Sequence, residues 1–312
     1  MKKFQYIISA ALLMLAVAAC RPSTDGNTSA QQAQEGEVNT LLEGATPISS
    51  NSQTTAQAEN PKPAAQPKEM EIPVTVSGSE GQLLKRVGYT TSYNAQNKIP
   101  NWVAWRLTAN HVNGNYRRDF MEFHEDTDIK APRVVDNDYY NSGYDRGHMC
   151  PSGDNKWNKE AQEQSFLFTN VCPQNHNLNA GAWNDVEMQC RAWAKRYGTL
   201  YIVCGPVLKN QQHRTIGRNR VVVPEAFFKV ILRQDTKTSK RSQASSPVYK
   251  AIGFVYENRS AKRDMKRFVR SIDEIEQLTG LDFFSNLPDD IEDAVEADAE
   301  LRDWYPLMEL KN

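Results

Sequence analysis

Apolar and polar positions divide the chain into three regimes. Residues 7–17 form an almost unbroken apolar run behind Lys2 and Lys3, residues 21 to about 80 show no period and hardly an aromatic side chain, and short structured patterns begin at Leu83. Residues 89–93, 102–105 and Leu107 mix β-branched and aromatic residues in the manner of strands. Further on, residues 138–144 lead toward a strand that delivers residues 145–148, residues 155–164 predict a helix, and the apolar run 165–171 predicts a second strand. Helical periodicity over residues 178–196 places Trp183 and Glu187 at steps of four from Asn179. Strand patterns recur at residues 200–204, 220–223, 227–232 and 249–256, with a polar, basic loop expected over 234–246. Residues 271–278 predict a helix with acidic residues near its start, and residues 289–304 a second, acidic one.

The first run is too short and too one-sided for a permanent spanning helix and reads as a secretory signal. Its end, Val17-Ala18-Ala19-Cys20, resembles the lipobox of bacterial lipoproteins. That resemblance implies cleavage before Cys20, lipid on Cys20 and a place in the bacterial cell envelope, periplasmic or surface-facing. An ordinary cleaved signal with an incidental cysteine is the alternative. More than one acyl chain holds a protein on a membrane stably, whereas one is marginal. The Ser, Thr, Gln and Pro-rich residues that follow cannot bury enough apolar surface to offset chain entropy, so they read as a disordered tether. The expected organisation is a signal at 1–20, a linker at 21–80, a folded domain at 81–288 and an acidic end at 289–312.

Charge sharpens this division. The net charge of −1 hides 30 Lys and Arg against 21 Asp and Glu in residues 82–287, and 2 against 9 in residues 288–312. A domain of +9 suits a polyanionic substrate that the acidic end would repel. The cysteines at 20, 150, 172, 190 and 204 lack the spacing of a structural zinc site. With Cys20 taken by an anchor, pairs Cys150–Cys172 and Cys190–Cys204 are the favoured expectation for an exported protein, and four free buried thiols are the alternative.

The densest chemistry lies between Gly143 and Glu187. Tyr144-Asp145-Arg146-Gly147-His148 is followed by Asn170-Val171-Cys172-Pro173-Gln174, then Leu178-Asn179, Trp183 and Glu187. An imidazole that takes a proton from water, a guanidinium that steadies a phosphate and oxygen ligands for a divalent cation are what phosphodiester hydrolysis requires. Their order and spacing resemble the DNA/RNA non-specific endonucleases, the endonuclease G-like ββα-metal nucleases. Further blocks carry the likeness outward over roughly residues 87–288: Phe123-His124-Glu125-Asp126, Asp138-Tyr139, Gly205-Pro206, Val223-Pro224, Phe227-Phe228-Lys229 and residues 272–284.

The resemblance implies an α+β fold, with a central antiparallel sheet flanked by helices. It implies Mg²⁺, with Mn²⁺ as an alternative, DNA and RNA as substrates, little sequence preference and products with 5′-phosphate ends. His148 then corresponds to the general base, Asn179 to the direct protein ligand of the metal and Arg118 to an arginine on the scissile phosphate. Arg146 is expected to stabilise phosphate charge, Glu187 to act on metal-bound water from outside the ligand shell, and Asp145 to orient its neighbours. Asn170 and Gln174 are expected to brace the loop. Blander roles stand beside these: Asn179 as a helix cap, Glu187 as a surface carboxylate, Arg117 and Arg118 as a solvated pair. His111, His124, His176 and His213 are read as ordinary core or surface histidines. A lipoprotein that binds nucleic acid without cutting it, and a phosphodiesterase for small substrates, are the rival functions. Oligomeric state, monomer or homodimer, stays open.

Overall fold

The structure, a computed structural model, describes residues 69–78, 80–236, 247–297 and 299–305. The expected signal, the expected lipid site at Cys20 and the expected tether through residue 68 lie outside the described residues, as do residues 237–246 of the loop expected over 234–246, whose first three residues belong to a strand. In chain order the main elements are β1 (Gln82–Lys85), β2 (Thr90–Asn94), β3 (Ile99–Leu107), β4 (Asp145–His148), α1 (Lys159–Gln164), β5 (Val171–Gln174), α2 (Asn184–Tyr197), β6 (Leu200–Val207), β7 (Ala226–Thr236), β8 (Pro247–Glu257), β9 (Val269–Arg270), α3 (Ile272–Thr279) and α4 (Asp289–Glu296).

Seven of the strands form one antiparallel sheet in the order β9-β8-β7-β6-β3-β2-β1. Its centre is apolar on both faces because successive side chains alternate. Val103, Trp105, Ile202, Cys204, Phe227, Ile231 and Phe254 point to one face, under the β4–β5 hairpin and α2. Trp102, Ala104, Val203, Phe228, Val230 and Leu232 point to the other, under Ile272 and Ile275 of α3 and Val295 of α4. Full burial of side chains of this size contributes about 1.5–3 kcal/mol each, so the two layers carry the fold. The hairpin is a separate two-stranded ribbon laid on the first face.

Helix ends follow their local residues. Ser271 Oγ accepts from Glu274 N at 3.1 Å and Glu274 Oε2 accepts from Ser271 N at 3.0 Å, a reciprocal cap that starts α3. Helix α2 has Asp185 and Glu187 in its first turn and Lys195 and Arg196 in its last, matching the helix dipole, and it stops at Gly198 with φ +94°. No described helix is long and apolar enough to cross a membrane.

Several expectations need correction. The apolar run 165–170 is a turn and a short helical segment, and β5 begins only at Val171. The run is apolar because it is enclosed on every side, which periodicity cannot tell from a strand. The expected helix over 178–196 is two segments, Leu178–Trp183 and α2, the first of them kinked at Gly181. Trp183 does not share Glu187's outlook, being fully buried against Phe227 and Tyr256. The four described cysteines are free, so the pairs Cys150–Cys172 and Cys190–Cys204 are not formed. Burial pushes the thiols of Cys150 and Cys172 well up, Cys190 to about 12 and Cys204 to about 11, leaving little of the thiolate that oxidation needs.

Both margins of the domain reach past their expected limits. Met70 is buried in the second core, and Val74–Thr75 pairs with Leu281–Asp282. Beyond α4, Leu301 and Trp304 join the first core. Trp304 lies 4.7 Å from the Trp193 ring, and Arg233 is held between the rings of Tyr197 and Trp304. Asp303 pairs with Lys250 at 2.7 Å, so at this point the acidic end is used against the basic domain.

Candidate active site

The hairpin register sets Asp145 opposite Gln174, Gly147 opposite Cys172 and His148 opposite Val171. Asn170 clamps its open end: Oδ1 accepts from Cys150 N at 2.9 Å, and Nδ2 donates to Cys150 O at 2.9 Å and to Ser165 O at 2.8 Å. Gly147 serves close approach and not a turn, since a Cβ there would stand 2.4 Å from Gln174 Oε1. Gln174 packs over Gly147 while its own amide atoms have no partner.

His148 stands on the last residue of β4. Its ring lies 4.9 Å from those of Phe123 and Phe166, its Nε2 is enclosed without a hydrogen-bond partner, and Nδ1 is left as the nitrogen with access to the cleft. Burial, with the Arg118 guanidinium as a second cause, lowers its pKa to about 3, so the imidazole is neutral in this state.

Asn179 lies just after the hairpin. The turn there is capped by Asn175, whose Oδ1 accepts from Asn177 N at 3.1 Å and Leu178 N at 3.4 Å, so Asn179 is not the cap. Asn179 Nδ2 instead donates to Asp145 Oδ2 at 2.9 Å. The amide is thereby oriented, with Oδ1 left for a ligand. The same carboxylate oxygen holds His176 Nδ1 at 3.0 Å. Asp145 therefore orients two neighbours, one of which the sequence reading had set aside; its place three residues before Asn179 was the available signal.

Glu187 projects from the first turn of α2, and burial pushes its pKa up to about 7 against the pull of Lys229 and Arg191. Arg191 is tied to Asp154 at 2.9 Å. Lys229, fully buried on β7, lies 4.8 and 4.6 Å from the ring centroids of Trp105 and Trp183. A lysine inside the apolar run 227–232 was its visible mark, although nothing in the sequence placed it beneath Glu187. Arg146 is braced, with Nε 2.6 Å from Asp136 Oδ1 and the guanidinium 5.6 Å from the Tyr139 ring centroid. Arg117 is paired with Asp119 at 2.6 Å, whereas Arg118 makes no ion pair among the described residues and stands 5.9 Å from the Phe166 ring centroid.

One cleft of about 830 Å³ collects these groups. Asp145, Arg146, His148, Asn179, Glu187 and Arg118 all line it, together with His176, Lys156 and Arg191. An oriented carboxamide oxygen and a recessed carboxyl are hard donors, too few to enclose an ion. They fit Mg²⁺, which keeps several waters, and they do not fit a four-coordinate zinc site.

A hairpin followed by a helix, with histidine on the first strand and asparagine before the helix, set on a central antiparallel sheet, defines an α+β protein of the ββα-metal nuclease fold. The model of the DNA/RNA non-specific endonuclease family matches residues 66–290, and the chain belongs to that family. It is 30% identical over 250 residues to the mitochondrial nuclease EXOG of Mus musculus, a match covering 74% of this chain and 66% of the mouse protein, just under two thirds of its length. It is 30% identical over 223 residues to a nuclease of Nostoc sp., covering 70% of this chain and 78% of that protein. The solved structure of EndoG in complex with EndoGI superposes with a TM-score of 0.61 at 28% identity, over 69% of this chain and 91% of that one.

Proposed function

We propose that the protein is an exported, Mg²⁺-dependent endonuclease that hydrolyses DNA and RNA with little sequence preference. The observation that carries this reading is the meeting of a neutral His148, an oriented Asn179 carboxamide and the ion-pair-free Arg118 in one cleft. Family membership and the nuclease relatives support it.

Arg118 and the braced Arg146 hold the phosphate oxygens, and the Phe123 and Phe166 rings keep the His148 imidazole in place. His148 Nδ1 takes a proton from the attacking water. A free imidazole with a pKa near 3 is a weak base, but a bound phosphate anion opposes both burial and Arg118 and raises it toward working pH. As the new P–O bond forms, the bond to the 3′ oxygen breaks, giving 5′-phosphate and 3′-hydroxyl ends. Glu187, half protonated near pH 7, is the group that returns a proton on the leaving side. Asn179 Oδ1 would hold Mg²⁺, or Mn²⁺ in its place, which when bound would supply positive charge to the phosphate. At the chain start, Cys20 carries the lipid that tethers the domain to the bacterial envelope.

Incubation of the purified chain with supercoiled plasmid and with single-stranded RNA tests the reaction. Both substrates should be degraded in Mg²⁺ and spared in EDTA, and His148→Ala should bind but not cut. Binding without cleavage by the wild type, or full turnover by His148→Ala, would remove the proposal. Anchoring is tested by detergent phase partition: wild type enters the detergent phase, and Cys20→Ser should not.

A further inference from the structure

On the sheet face opposite the cleft, five carboxylates gather between α3 and α4 in two overlapping triads. Oxygens of Asp273, Glu276 and Glu296 lie within 4.8 Å of one another, and so do oxygens of Asp282, Glu292 and Glu296. Glu296 belongs to both. It is only 7% exposed, and its Oε1 is buried without a hydrogen-bond partner. An oxygen withdrawn from water without a partner carries its full desolvation cost. Of the others, Glu276 has one oxygen engaged, accepting from Phe283 N at 2.7 Å.

No basic side chain among the described residues answers this charge. Among the described residues none of the five makes an ion pair, and the charges acting on Glu276 and Glu296 are all carboxylates. Burial and these neighbours push Glu276 up to about 7 and Glu296 to about 8, while Glu292 and Asp282 also rise. The missing partner is positive, small enough to sit among oxygens less than 5 Å apart, and reached from three segments of chain.

We infer that this cluster binds one Ca²⁺ ion, which fastens α4 to α3. The donors are all hard oxygens without nitrogen or sulfur, which excludes the softer metals. Between the two hard divalent cations, a site rich in carboxylates with no fixed geometry suits Ca²⁺, which accepts six to eight oxygens in flexible arrangement, better than the octahedral and reluctantly dehydrated Mg²⁺. The ion secures the helix from which the chain runs on to Leu301 and Trp304 in the first core. This site is separate from the proposed reaction and does not depend on it.

The test titrates the EDTA-stripped full chain with CaCl₂ in the absence of nucleic acid, following heat and melting temperature. The cleft also offers cation ligands, so the measurement is repeated in Asn179→Ala. Both proteins should bind Ca²⁺ and melt several degrees higher in millimolar Ca²⁺. Glu296→Gln should weaken binding at least about tenfold and abolish that rise. In EDTA at pH 8 the same variant should melt no lower than wild type, since a repelling charge has gone, and that excludes misfolding as the cause. Absence of any Ca²⁺ response in Asn179→Ala, or an undiminished response in Glu296→Gln, overturns the site. An equal response to Mg²⁺ overturns the choice of Ca²⁺.

Discussion

Asp145 Oδ2 accepts from Asn179 Nδ2 at 2.9 Å, and this one bond ties the first strand of the hairpin to the segment that precedes α2. Its consequence is the direction of the amide. With the nitrogen engaged, the oxygen of Asn179 is presented to the cleft, whereas a freely turning amide would offer it only part of the time. Asp145→Ala should therefore raise the Mg²⁺ needed for half-maximal cleavage by about 10–100-fold, the usual effect of losing a group that orients a ligand. Asn179→Ala should lose more, and extra Mg²⁺ should restore it only in part. A Mg²⁺ titration of plasmid nicking measures both, and an unchanged curve for Asp145→Ala would dismiss the orienting role.

Arg118 and His148 are coupled through charge, because the guanidinium is one of the two causes that lower the imidazole pKa. Removing it should raise that pKa, so the acid limb of the pH–rate profile moves to higher pH in Arg118→Ala. The same variant loses a phosphate contact, and its salt dependence of binding should fall by about one unit of slope. Arg117→Ala should do neither, since Arg117 is already paired with Asp119. Equal effects from the two arginines would deny Arg118 its special place. His148→Ala should reduce turnover by about 10²–10⁴-fold on the plateau above the acid limb, and the limb itself should disappear.

The ordered polar blocks made the cleft legible. Asp145, Arg146, His148, Asn179 and Glu187 carry chemistry that a core does not need, and all of them line it. Lys229 and His176 were not legible, because their roles depend on what lies above them across the sheet and the hairpin. The strands β3, β6, β7 and β8 were visible as β-rich runs. Residues 165–170 misled because a buried turn and a buried strand are equally apolar. The cysteine pairing misled because export suggested disulfides, whereas the fold uses the four thiols as packing. A melting temperature unchanged by a reducing agent is the expected outcome, and a drop of many degrees would restore the disulfides.

Glu187 makes a prediction about stability. Its folded pKa is about 7 against an ordinary 4.5, so between those values the folded state holds more protons than the unfolded. Stability from this group is present at acid pH and lost as pH rises through 7. Glu187→Gln removes that loss. In EDTA at pH 8 the variant should be more stable than wild type by roughly 1–3 kcal/mol, allowing for partial exposure, and nearly equal to it at pH 4. Urea unfolding at the two pH values decides it. The same difference at both would mean that Glu187 is not held protonated, even if the variant fails to cleave.

Trp304 does not line the cleft, yet it closes the first core against Trp193 and caps the Arg233 guanidinium at 4.7 Å. Arg233 is only 5% exposed; its Nη2 pairs with Asp235 Oδ2 at 3.0 Å and donates to Asp303 O at 3.1 Å, while its other two nitrogens are buried without a hydrogen-bond partner and have only the two rings to answer their charge. Trp304→Ala should cost about 3–5 kcal/mol, the range for emptying a large buried aromatic site, with Arg233 then opened to water. Trp304→Phe keeps a ring above Arg233 and should recover more than half of that loss. Because Trp304 meets α2 at Trp193, beyond Glu187 and Arg191, and does not itself line the cleft, activity well below the lowered melting temperature should be unchanged. A Trp304→Ala chain as stable as wild type in urea would show that the end of the chain rests on the core without closing it.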